Sequence, residues 1–117
     1  MIPGFEDIYD EVKIEDNDLV NGIAAALKKF NIGKEKAITN KEMCERIFKW
    51  NGIKLTDAQM RKYIQYIRIQ GLCPRLCATK KGYYIAETKQ EWHSYKEGFR
   101  KRSRVMQMTL AGMELFE

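Results

Sequence analysis

Two sets of side chains in this chain are of a type and spacing that could do chemistry: three cysteines with a single histidine, and a run of cationic and amide side chains between Thr56 and Lys81. The first set falls short of a site. Cys73 and Cys77 are spaced C-x-x-x-C, but no second cysteine pair exists, and His93 alone cannot complete a tetrahedral zinc site with them and Cys44. An odd number of cysteines without a secretory context is expected to stay reduced, as small buried thiols. His93 follows Trp92 near an expected helix start and reads as an exposed or capping residue. The chain has no Ser/His/Asp arrangement, no glycine-rich phosphate loop and no paired carboxylates in a structured segment. It is therefore not expected to be an enzyme, and it calls for no cofactor or metal.

The second set sits on a helix and a hairpin. Thr56 with Gln59 has the form of a capping box, which opens a helix by satisfying two orphan backbone donors. Met60, Tyr63, Ile64 and Ile67 then recur at three- and four-residue steps and define an inward face, with Arg61, Lys62, Gln65 and Arg68 largely on the others. Gly71 stops the helix and Pro74 forbids its continuation. Two runs with strand character follow, Leu76 to Ala78 and Tyr83 to Ala86, joined by Thr79-Lys80-Lys81-Gly82, whose glycine can take the positive φ of a tight hairpin. A helix with a basic, amide-bearing face thus runs into a hairpin with a basic tip.

The remaining elements must hold that pair in place. From Asp18, Leu19, Val20, Ile23, Ala24, Ala26, Leu27 and Phe30 make the apolar stripe of a first helix, with Lys28 and Lys29 in its last turn. Ala37-Ile38-Thr39 reads as a short extended segment. Thr39 with Glu42 forms a second capping box, opening a helix with Met43, Cys44, Ile47 and Phe48 inward, Trp50 at its end and Asn51-Gly52 as its stop. Helix, short glycine-bearing turn, helix is the arrangement in which a second helix can enter a major groove. Thr88 with Glu91 makes a third capping box, and the segment of about 29 residues that follows would span roughly 43 Å as one helix. Along it Trp92, Phe99, Met106 and Met113 recur at sevens, with Arg102 and Thr109 interrupting the companion positions. The seam is available either to a second subunit or to the chain's own domain. No internal repeat or low-complexity tract is present.

A chain of 117 residues with 44% hydrophobic and 32% charged residues is expected to form one ordinary domain with its own core. No apolar run is long enough to cross a bilayer and the N-terminus lacks the pattern of a signal peptide, so the expected location is cytoplasmic, with no membrane partner. Charge is unevenly spread. Residues 1–18 carry seven acids against one base, a net −6, while the remaining 99 residues carry 20 bases against 9 acids, a net +11. A basic body of this size favours a nucleic-acid partner. The expected organisation is an acidic arm over 1–17, a domain over 18–87 and a long terminal helix over 88–117 that packs on the body or forms a homodimer.

The order helix, short strand, helix, helix, strand, strand resembles the winged helix-turn-helix, an α+β and mainly α fold. Between Leu55 and Tyr84 the chain resembles the DNA-binding head of biotin-operon repressors and, more closely, small prophage-type proteins with the same head. The carrying residues are Leu55-Thr56, Met60, Ile64, Gln65, Ile67, Gly71-Leu72, Pro74 and Lys81-Gly82-Tyr83-Tyr84. The resemblance covers about residues 37–88 and implies a third helix that reads double-stranded DNA and a wing tipped by Lys80 and Lys81. Carried onto this chain, the groove-facing positions are Thr56, Asp57, Gln59, Arg61, Lys62 and Gln65, with Tyr66 at the margin. Arg100, Lys101, Arg102 and Arg104 crowd the middle of the terminal segment, and of these Arg100, Lys101 and Arg104 are assigned to phosphate contact. The implied function is a small transcriptional regulator or replication-origin binder. The alternative is a protein-interaction module whose terminal aromatics, Trp92, Tyr95, Phe99 and Phe116, anchor a partner.

Overall fold

The computed structural model describes residues 17–116, so the acidic arm expected over 1–17 lies outside them except for Asn17, which already belongs to the first helix. In chain order the elements are α1 (Asn17–Phe30), a 3-10 turn (Lys34–Lys36), α2 (Asn40–Asn51), α3 (Asp57–Gln70), β1 (Leu76–Thr79), β2 (Gly82–Ile85) and α4 (Lys89–Leu115). The architecture is α+β and mainly helical, with four helices and one two-stranded antiparallel sheet among the described residues. No helix among them is long and apolar enough to cross a membrane. The chain divides into two units, one reaching to Ala86 and one from Glu87 onward.

Capping chemistry sets the helix starts. Thr39 and Thr56 each accept a hydrogen bond from the amide three residues on, and Glu42 and Gln59 reach back to the amides of Thr39 and Thr56 at 3.2 and 2.9 Å. The Glu42 carboxyl is held below its usual range first by the Thr39 hydroxyl and then by the Thr39 amide. Gly52 and Gly71 close α2 and α3 in the left-handed conformation. The third box is only half made: Thr88 accepts from the Glu91 amide, but Glu91 reaches one residue further back, to the Glu87 amide.

The core of the first unit forms where α1, α2, α3 and the hairpin converge. Leu27, Met60, Ile67 and Leu76 are its largest fully buried side chains, and each contributes roughly 2 kcal/mol by leaving water. All four inward positions expected of α3 are buried. On α2, Met43 and Ile47 are buried and Cys44 is half-buried, but Phe48 is 54% exposed. Periodicity places Phe48 inward; it stands one position beyond the face that α1 and α3 cover. Ala26 and Phe30 of α1 are likewise exposed. Cys73 and Cys77 are buried free thiols, and burial pushes the Cys73 thiol up.

The sheet is smaller than expected in one place and tighter in another. The short strand at Ala37–Thr39 is reduced to one bridging residue, Ile38, because the 3-10 turn ends at Lys36 and Thr39 is taken as the α2 cap. The strands run to Thr79 and Gly82, which leaves Lys80-Lys81 as a two-residue loop. β2 is paired on both edges: β1 lies on one side, in register from Leu76 opposite Ile85 to Thr79 opposite Gly82. On the other side Ile38 exchanges two backbone hydrogen bonds with Tyr83 (3.0 and 2.7 Å), and Asn31 and Gly33 each share one with Ile85 (2.8 Å). Arg75, at φ 64°, is the one non-glycine in the left-handed region among the described residues, and its carbonyl accepts from the Ala86 amide.

Gly82 is the tightest point. Its φ is +122°, and a Cβ there would stand 2.3 Å from the Ile38 carbonyl oxygen. Gly71 also has positive φ but nothing within 4 Å of a Cβ. Gly82→Ala is therefore expected to destabilise by about 3 kcal/mol or more, against roughly 1 kcal/mol for Gly71→Ala, measured by urea denaturation. Equal losses at the two positions would show that the close approach to Ile38 carries no strain.

Candidate functional site

The start of α3 is fastened to the hairpin by a short polar chain. The Tyr83 hydroxyl on β2 donates to Asn40 Oδ1 at 2.8 Å, and Asn40 Nδ2, in the first turn of α2, donates to the Asp57 carbonyl at 2.9 Å. Cys44, one turn further along α2, directs its thiol at the Thr56 carbonyl and at Asp57 Oδ1, both 3.9 Å away. Burial first, and then the Asp57 carboxylate, push that thiol up from its ordinary value. Asp57, a departure from an otherwise basic face, thus lies beside Cys44.

Burial likewise raises the Tyr83 phenol, while the nearby guanidinium of Arg61, and more weakly that of Arg68, oppose the rise. Two α3 cations therefore lie close to the hairpin side chain that holds α3 in place. Arg61 is exposed, and Lys62, Gln65, Tyr66 and Arg68 are half-buried, with Tyr66 packed against the core. Thr56 and Gln59 are exposed, and their side-chain oxygens are engaged in the helix cap. At the hairpin tip Lys80 and Lys81 are both exposed. The Thr79 hydroxyl spans the loop beneath them, accepting from the Lys81 amide and donating to the Gly82 carbonyl at 3.2 Å each.

Arg61 and the Lys80-Lys81 tip are thus borne on elements that Tyr83 and Asn40 connect. Arg100, Lys101 and Arg104 are exposed on α4, in the second unit, where Arg100 is ion-paired to Glu97. Sequence reasoning gave no site role to Asn40, Tyr83, Thr79 or Arg68. Asn40 and Tyr83 are 43 residues apart, so no local spacing could pair them. Periodicity puts Arg68 on the polar face, but its nearness to Tyr83 depends on the hairpin folding back.

A second surface feature is apolar. A cavity of about 310 Å³ runs between Gly22, Ala26 and Phe30 of α1 and Met43, Ile47 and Trp50 of α2, with Arg46 on its wall. The Trp50 indole, 65% exposed, lies over Gly22, where a Cβ would stand 2.8 Å from its ring. Among the described residues no group of three or more His, Cys, Asp or Glu side chains could hold a metal ion.

No protein-family model, curated protein or solved structure matches this chain.

Tyr83→Phe removes a donor and leaves Asn40 Oδ1 without it, so a loss of about 1 kcal/mol is expected in urea denaturation. Amide exchange in the first turn of α3 should speed up in the same variant, since that turn is what Asn40 holds. Unchanged exchange there would show that the Tyr83–Asn40 link does not brace α3.

Proposed function

We propose that this protein binds double-stranded DNA as a winged helix-turn-helix, with α3 in the major groove and the β1–β2 hairpin as the wing, and that it acts as a small transcriptional regulator or replication-origin binder. The observation that carries the reading is the Tyr83–Asn40–Asp57 chain: it fixes a helix bearing exposed Arg61 to a hairpin whose braced tip exposes Lys80 and Lys81. A helix held this way can meet base edges while the tip meets the flanking backbone. The net charge of +11 beyond residue 18 supplies the attraction to phosphate.

Roles follow from side-chain chemistry. Arg61 and Lys62 suit guanine acceptors or phosphates, and Gln65 suits the paired donor and acceptor of adenine. Thr56 and Gln59, with their oxygens in the cap, still offer a hydroxyl hydrogen and an amide NH2 to backbone phosphate at the helix N-terminus. Tyr66 lies at the margin of this surface. Arg100, Lys101 and Arg104 add phosphate contacts from α4.

One observation favours a second activity, contact with another protein: the large apolar side chains from Val105 of α4 to Phe116, just past its end, are all more than half exposed.

The test is fluorescence anisotropy of a labelled random-sequence duplex across a salt series. Binding in the micromolar range that weakens steeply with salt is expected. Lys80→Ala with Lys81→Ala should weaken all sequences alike and lower the salt slope by nearly two, about 0.9 for each phosphate left unneutralised. On a selected site, Arg61→Ala should lower discrimination by about 1 to 3 kcal/mol at one base pair. Absence of salt-sensitive binding at low ionic strength would overturn the reading.

A further inference from the structure

We propose that two copies of this chain pair through α4 in antiparallel orientation, the aromatic half of one helix lying against the methionine-rich half of the other. α4 has no buried residue, and its two halves differ in kind. Residues 89–104 carry six bases against two acids, a net +4, and hold Trp92, Tyr95 and Phe99. Residues 105–116 carry one charge, Glu114, and their large apolar side chains are 55–82% exposed. A helix segment apolar on nearly every side is one that something must cover.

A second copy of α4 fits this face, and charge and shape choose the orientation. A parallel pair would set the two +4 halves against each other along their whole length. An antiparallel pair sets each +4 half against an apolar half of net −1. The apolar positions also match end to end: reversing the helix about Arg104 carries Trp92 onto Phe116, Tyr95 onto Met113 and Phe99 onto the neighbourhood of Leu110. The aromatic half is already ordered for contact, since the Trp92 and Tyr95 rings stack at 5.7 Å and Tyr95 meets Phe99 at 6.5 Å. Aromatic rings against methionine sulfur are a favourable pairing. The cost is at the middle, where Arg100, Lys101, Arg102 and Arg104 of both copies meet. Salt screens that repulsion, so the pair should tighten as salt rises, opposite in sign to DNA binding.

In an antiparallel pair reversed about Arg104 the two Lys89 ends stand roughly 45 Å apart along the helix axis. A parallel pair would bring them to about 10 Å.

Sedimentation equilibrium without DNA tests the pairing. A dimer is expected at roughly 100 µM, a concentration that populates weak dimers by mass action, with tighter association at high salt. Met113→Glu should weaken it at least tenfold, while helicity by circular dichroism stays unchanged. Orientation is read from spin labels at Gln90→Cys in a Cys44→Ser background, with about 40 Å expected between labels and roughly 10 to 15 Å for a parallel pair. A monomer at that concentration, a dimer indifferent to Met113→Glu, or the short label distance would each overturn the proposal. A monomer would assign the face to the chain's own head or to another protein.

Discussion

The arrangement depends on one close approach, the backbone of Gly82 against the carbonyl of Ile38. Because no side chain stands between them, Ile38 and Tyr83 can exchange two backbone hydrogen bonds, and the chain entering α2 is stitched to the hairpin. Ile38 lies two residues before Asn40, and Tyr83 one residue after Gly82. The stitch therefore sets the distance at which the Tyr83 hydroxyl finds Asn40, and Asn40 in turn holds the first residue of α3. A backbone contact thus governs where a helix of quite another part of the chain begins.

This makes the first unit a frame with few independent parts. β2 is shared: it pairs with β1 on one edge and with Ile38, Asn31 and Gly33 on the other, so its backbone groups are largely satisfied without solvent. The hairpin tip is braced by Thr79 and the helix start by Asn40, Cys44 and its own cap. Such supports fix the backbone positions from which side chains on α3 and the hairpin tip project. The second unit is of a different character, a single helix with one cationic half and one apolar half.

Much of this was legible in the sequence because its causes are local. Capping boxes at Thr39 and Thr56 and stops at Gly52 and Gly71 bound two helices, and the three- and four-residue steps of Met60, Tyr63, Ile64 and Ile67 named the buried face of α3. What periodicity could not show is whether an apolar position has anything to cover it, so Phe48 and Phe30 lie exposed although they belong to apolar stripes. The half-made cap at Thr88 escaped for a related reason: a carboxylate near several amides takes the one its rotamer reaches. In the candidate site the basic and amide side chains were legible as types, but Asn40 and Tyr83 were not, because a hydroxyl and an amide that meet across the fold leave no spacing to read.

The double pairing of β2 also bears on the order of folding. α2 and α3 are neighbours in sequence and can meet early, whereas the Tyr83–Asn40 bond closes a loop across 43 residues. Closing such a loop costs entropy before any contact rewards it, so the hairpin is expected to dock after α2 and α3 meet, together with the chain around Ile38. The first unit should consequently behave as one cooperative barrier crossing, with Gly82 in the part that forms last.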